Sequence, residues 1–232
     1  TRAQLKKNRE DLPRELRTRT LDDDWYRGRS ADWSKVDVPF LSAGNWGGQG
    51  LHPRGNIDGF VNAASQHKWL EMHGREHWTE FYTDYGLDLQ KRFFGHFLKG
   101  EDTGWKKQPK VLLNIRHPGE VFVPRTEKEW PLKRTKWTKA FLEPGTGALA
   151  TKAPAKKQKS IYAGLGDGVT FLTPARETAV ELTGPLAAKL FVSSETKDAD
   201  LFLVVRLFAP DLKEVTFKGA LDPHTPVAQG WL

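Results

Sequence analysis

The sequence has 232 residues, 36 Lys and Arg against 29 Asp and Glu for a formal net charge of +7, and 38% hydrophobic residues, with 9 Trp and 13 Phe. Such a chain is long and aromatic enough to bury a core and is not a disordered segment. The lack of Cys excludes disulfides, thiolate metal sites and a cysteine nucleophile, and no apolar run approaches the roughly 18 residues of a membrane span.

The charge is unevenly spread. Residues 104–160 carry fourteen bases against four acids and make the whole chain basic. Lys133, Arg134, Lys136 and Lys139 alternate there with Trp130, Trp137 and Phe141, a composition that suits a nucleic-acid surface or a sheet edge guarded by lysines. No nucleic-acid module motif accompanies the charge, so neither a nucleic-acid partner nor a membrane partner is expected.

In chain order, residues 1–34 are polar, with helical potential through Leu5, Leu12 and Leu16 interrupted by Pro13. Asp22, Asp23 and Asp24 before Trp25 and Tyr26 read as a helix start or a loop over a pocket. Residues 36–43 form an apolar run that ends in glycines between Gly44 and Gly50, the pattern of a buried strand feeding a loop. Asn56 is expected to cap a short helix through Ile57, Phe60, Val61 and Ala64. Lys68 to Met72 is a second strand, and Thr83 and Asp84 open the clearest helix, closed by Lys99 and Gly100. Its apolar face is assigned Leu87, Leu89, Phe93, Phe94, Phe97 and Leu98. Strand, helix, strand, helix is an α/β pattern with parallel strands.

After Pro109 the period becomes two, and short strands are predicted at 111–115, 121–123, 134–142, 168–173, 189–193, 201–208 and 214–218. Residues 201–208 are apolar on both parities except for Arg206, so both faces are expected to be covered. Many short strands with turn signals point to a sandwich or jelly roll. The fold class is therefore α/β plus all-β, with a boundary near 107/108: residues 1–107 as α/β, and 108–232 as a β-sandwich. The lone methionine is Met72 and the sequence runs from Thr1 to an apolar Leu232. It is expected to be a piece of something longer, incomplete at both ends.

The candidate chemistry lies in His73-Gly74-Arg75-Glu76-His77-Trp78, a loop after the second strand. An α/β-hydrolase places its acid after one strand and its histidine after the next; the loop at Gly44–Gly50 and His77 occupy those places. His77 would take the proton of a serine hydroxyl and return it to the leaving group. His73, Glu76 and His77 also match the H-x-x-E-H zinc pattern, but that needs a helix, and Gly74 after an apparent strand argues against one. No metal or cofactor is expected. The plain alternative is that His73 and His77 hydrogen-bond loop backbone. No G-x-S-x-G occurs, so in the chain order Ser, acid, His the nucleophile would precede residue 1.

These residues resemble the cocaine esterase and X-Pro dipeptidyl-peptidase group of α/β-hydrolases. The segment 38–48 is similar to the strand and loop that end in an aromatic-rich G-W-x-D, and 69–77 to the strand leading to the catalytic histidine. Residues 90–100, Glu129-Trp130-Pro131-Leu132 and 193–208 resemble the exit helix and jelly-roll segments of the same group. The resemblance implies the last part of a hydrolase domain with part of its cap, then a jelly roll. It implies His77 as general base in a Ser-His-acid triad acting on ester, amide or X-Pro dipeptidyl bonds. Asn45, Trp46 and Trp78, with Trp25, would line the substrate pocket. Where the pattern expects the triad aspartate this chain has Gly47, or Gly48 with a one-residue shift. Asp58 is the expected replacement, with Glu76 and Glu80 as local alternatives. The implied partners are a small ester, amide or peptide substrate and the remainder of the hydrolase domain, with a homo-oligomer possible. The compartment is left open, cytoplasm being preferred. The competing expectation is a non-catalytic jelly-roll binding module with a degenerate hydrolase remnant.

Overall fold

The computed structural model describes residues 1–50, 52–76 and 78–232. Three short helices open the chain: α1 (Arg2–Lys7), α2 (Leu12–Thr18) and α3 (Asp24–Arg27). Strand β1 (Phe40–Asn45), helix α4 (Pro53–Asn62), strand β2 (Lys68–His73) and helix α5 (Asp84–Lys99) follow. β3 (Val111–His117) and β4 (Val121–Glu127) complete a four-stranded sheet of order β1-β2-β3-β4. The first two pairings are parallel, with Asn45 opposite His73 and Leu70 opposite Val111, and β3–β4 is an antiparallel hairpin. The strand beyond residue 108 thus extends the sheet begun before it.

β2 is the centre of this arrangement. Leu70 and Met72, both fully buried, point into one core with Phe60, Val111, Leu113, Trp130 and Leu132. Trp69 points into the other with Leu89, Phe93 and Trp105. Alternate side chains of a strand leave opposite faces, so a run apolar on both parities needs helices on both sides, and α4 and α5 supply them.

Helix α5 has the expected bounds, with the Thr83 hydroxyl accepting from the Gly86 N–H and Gly100 left-handed at φ 69°. Its buried face is narrower than expected. Leu89, Phe93 and Phe97 face the sheet, whereas Leu87, Phe94 and Leu98 are exposed, because at 100° per residue they fall on the opposite side of the helix. Helix α4 starts three residues before the expected cap, with Pro53 in its first turn. Asn56 instead donates to the Ala43 carbonyl at 3.0 Å, while the Ser42 hydroxyl donates to the Asn56 carbonyl at 2.9 Å. These bonds strap α4 to β1.

The remaining strands are short: β5 (Phe141–Glu143), β6 (Ala148–Ala150), β7 (Phe202–Val205), β8 (Leu207–Phe208), β9 (Glu214–Val215) and β10 (Ala228–Trp231). They pair as the ribbons β5–β6, β7–β10 and β8–β9. Of the strand expected at 168–173 only a bridge between Leu172 and Ala148 is present, and 189–193 has none. The expected covering of 201–208 is not found among the described residues: Phe202 is 76% exposed and Val204 53%, and β7 pairs there with β10 alone. Trp130 is a core residue rather than part of a surface aromatic set, and Arg134 and Arg125 are ion-paired with Glu127. Among the described residues no helix is long and apolar enough to cross a membrane.

Leu70→Ala removes a side chain with no exposed surface and is expected to cost about 2–5 kcal/mol of unfolding free energy. Leu98→Ala, at a site 76% exposed, is expected to stay within about 0.5 kcal/mol. Urea denaturation of the two variants checks both.

Candidate active site

Two parallel strands ending in register bring their following loops together at one edge of the sheet, where α/β proteins place ligands. β1 ends at the buried Asn45 and β2 at the buried His73. The Asn45 amide donates to the Arg75 carbonyl, and the Trp46 N–H donates to the His73 carbonyl at 2.9 Å. Arg75 is left-handed at φ 61°, a conformation a non-glycine residue holds only when its surroundings fix it. Phe122 of β4 lies so close to Gly74 that a Cβ there would overlap its ring. The chain leaving β2 is therefore shaped by β1 on one side and β4 on the other. His77 itself, the expected base, lies outside the described residues.

The other expected residues separate. Asn45 sits at the strand edge with its Oδ1 buried and unpaired among the described residues. Trp46 packs inward, its indole N–H donating to the Asn114 carbonyl at 2.9 Å and its ring 6.3 Å from that of Trp130. Trp78 is exposed. Trp25 stacks under the Arg29 guanidinium, 3.8 Å from its ring centre. Asp58 lies exposed on α4, 3.8 Å from Arg54. The helix that a zinc H-x-x-E-H needs is not there, because His73 ends a strand and Gly74 to Glu76 follow as a bend. Among the described residues no group of three His, Asp or Glu is placed to hold a metal.

Several residues that matter here went unnoticed in the sequence. Glu71 is buried on β2 with its Oε2 2.7 Å from His73 Nδ1. Burial pushes its carboxyl above the usual range, partly offset by His73. The partner of His73 is thus a carboxyl group rather than loop backbone, and its Nε2 is buried and unpaired among the described residues. A charged residue inside Trp69-Leu70-Glu71-Met72, two positions before a histidine and on its face, was the available signal.

Residues far along the chain lie against these loops. Lys218 Nζ lies 2.9 Å from Glu76 Oε1 and holds that carboxyl at about 2. The Gln49 amide donates to the carbonyls of Pro226 and Val227 at 2.9 and 3.0 Å. Arg116 donates to the Val227 carbonyl at 2.7 Å and lies 4.6 Å from the centre of the Phe217 ring. Burial lowers its guanidinium to about 10, so it stays charged at neutral pH. Gly47, where the resemblance expects the triad acid, is packed backbone to backbone against this segment. A Cβ on Gly47 would overlap the Lys218 carbonyl oxygen and come within 2.5 Å of Gly219 Cα. At Gly48 the nearest atoms are 3.1–3.4 Å away, so that its neighbours would have to give far less than at Gly47.

Restoring an acid at the first of these positions is therefore expected to fail. Gly47→Asp should lower the unfolding free energy by more than about 2 kcal/mol, since backbone cannot yield as a side chain does. Gly48→Asp should cost less than half as much. Thermal unfolding of both variants decides this.

Residues 103–232 match the family model of the X-Pro dipeptidyl-peptidase C-terminal non-catalytic domain. A crystal structure of a CocE/NonD family hydrolase from Staphylococcus aureus is similar over 96% of this chain, at 27% identity and a TM-score of 0.83. A second crystal structure, also of a CocE/NonD family hydrolase from Staphylococcus aureus, is similar over 62% of this chain at 34% identity and a TM-score of 0.59. The chain spans 41% and 26% of the lengths of those two chains. None of the curated proteins matches it. The matched span takes in more than half of the chain and agrees with the similar structures: the chain belongs to the family that carries the X-Pro dipeptidyl-peptidase C-terminal domain, within the cocaine esterase and X-Pro dipeptidyl-peptidase group.

Proposed function

We propose that this chain is the histidine-bearing part of a serine hydrolase that cleaves ester or amide bonds, its serine and oxyanion donors being supplied by sequence outside residues 1–232. The observation that carries this is the pair of parallel strands ending in register at Asn45 and His73, with the His77 loop leaving the second. Similarity to a CocE/NonD hydrolase over 96% of the chain supports it. His77 would act as the general base on the serine and then as the acid toward the leaving group. All of these residues precede the span matched to the non-catalytic domain, which begins at residue 103.

The acid that orients His77 is assigned among three carboxylates. Asp58 is the expectation from sequence, but it lies on the exposed side of α4. Glu76 is engaged by Lys218. The Glu80 side chain is only 14% exposed, 3.7 Å from Arg75, and is the stronger competitor. A non-catalytic module with a hydrolase remnant is favoured by one observation, the Gly219 backbone lying where an aspartate on Gly47 would project.

In the full-length protein His77→Ala is expected to lower kcat for p-nitrophenyl ester hydrolysis by about 10³-fold or more, and loss of the orienting acid by up to about 10⁴. Assays of Asp58→Asn and Glu80→Gln identify that acid. An ester hydrolysis rate unchanged by His77→Ala would leave the binding-module reading in its place.

A further inference from the structure

The chain leaving β2 is gripped from its own side and also from the far end of the sequence. Glu76, the residue next to His77, accepts from the Thr79 hydroxyl at 2.9 Å through Oε2 and meets Lys218 at 2.9 Å through Oε1. Glu120 in the β3–β4 turn is a further charged neighbour of Lys218, whereas Arg75, next to Glu76 in the chain, is paired with Glu80. Surface ion pairs contribute little because two long side chains must be ordered to make them. Lys218 differs in how its backbone is held. Its N–H donates to Glu120 Oε1 at 2.6 Å, and its carbonyl lies against Gly47. Its neighbour Phe217 is 4% exposed and exchanges backbone hydrogen bonds with Thr225 at 3.0 and 2.8 Å. Arg116, with its cationic face over Phe217 and a bond to Val227, fastens the same segment from β3. The lysine is thus presented from a buried, doubly anchored turn.

We propose that Lys218, within the span matched to the non-catalytic domain, is a positioning residue: through Glu76 it holds the segment 74–76 that leads into His77. This rests on His77 being the base. A displacement of a reacting group by about 1 Å can cost on the order of 10² in rate, so a contact that adds little to stability can still govern turnover.

The test uses the full-length protein, p-nitrophenyl ester kinetics and hydrogen exchange of the peptide covering residues 74–83. Lys218→Met is expected to lower kcat about tenfold with KM within about twofold, and to speed exchange of that peptide while leaving the thermal midpoint within about 2 °C. Lys218→Arg should recover most of the rate, and Glu76→Gln combined with Lys218→Met should fall no further than either alone. Lys213→Ala, at an exposed pair with Asp211, should match the parent. An active parent whose kcat and loop exchange are both unmoved by Lys218→Met overturns the proposal. So does a loss that Lys218→Arg does not rescue and that tracks a falling thermal midpoint. A parent that hydrolyses no ester sinks the hydrolase reading itself, and the positioning role with it, whatever the exchange data show.

Discussion

Strand β2 is hydrogen-bonded on both edges and buried on both faces, which fixes the point from which the chain leaves its carboxyl end. The parallel ladder to β1 sets Asn45 opposite His73; the ladder to β3 sets Leu70 opposite Val111. Alternating side chains lock the strand between two cores, so sliding it by one residue would exchange Leu70 and Met72 with Trp69 and Glu71. Register of this kind is strongly specified wherever both faces are buried. The point at which the chain leaves β2, at His73, is therefore decided by the core.

The second constraint comes from the other end of the chain. Gly47 and Gly219 touch through their backbones, and around that contact lie Lys218 on Glu76, Gln49 on Pro226 and Val227, and Arg116 on Phe217 and Val227. A side chain at Gly47 would push the two segments apart, and one at Gly219 would run into Thr225 of its own turn. The span that matches a non-catalytic domain thus lies directly against the loops at the carboxyl edge of the parallel strands. It also fills the space into which a side chain on Gly47 would project.

Much of the first half was legible because its signals are local and mutually consistent. Thr83, Gly100 and the spacing of Leu89, Phe93 and Phe97 specify α5 almost to the residue, and the apolar run at 68–72 marks a strand. Asn56 misled because a cap and a strap between elements use the same side-chain chemistry, and Pro53 in the first turn was the better signal for the helix start. In the second half, the runs at 189–193 and 201–208 read as strands, the latter covered on both faces, yet a strand exists only through its partners, and pairing is not encoded in the run itself. The site divided the same way. His73, Asn45 and Trp46 fall at the strand ends by local pattern. The roles of Lys218, Arg116 and Gly219 depend on contacts across about 100 residues or more, which periodicity and spacing do not carry. The inward turn of Trp46 onto Trp130 is of the same kind.

The most direct test of the account is fluorophosphonate labelling of the full-length protein followed by peptide mapping of the labelled residue. The account expects stoichiometric label on one serine outside residues 1–232, abolished by prior inactivation with an ester-mimicking inhibitor. No label on the folded protein, or label on a serine within this chain, would contradict it.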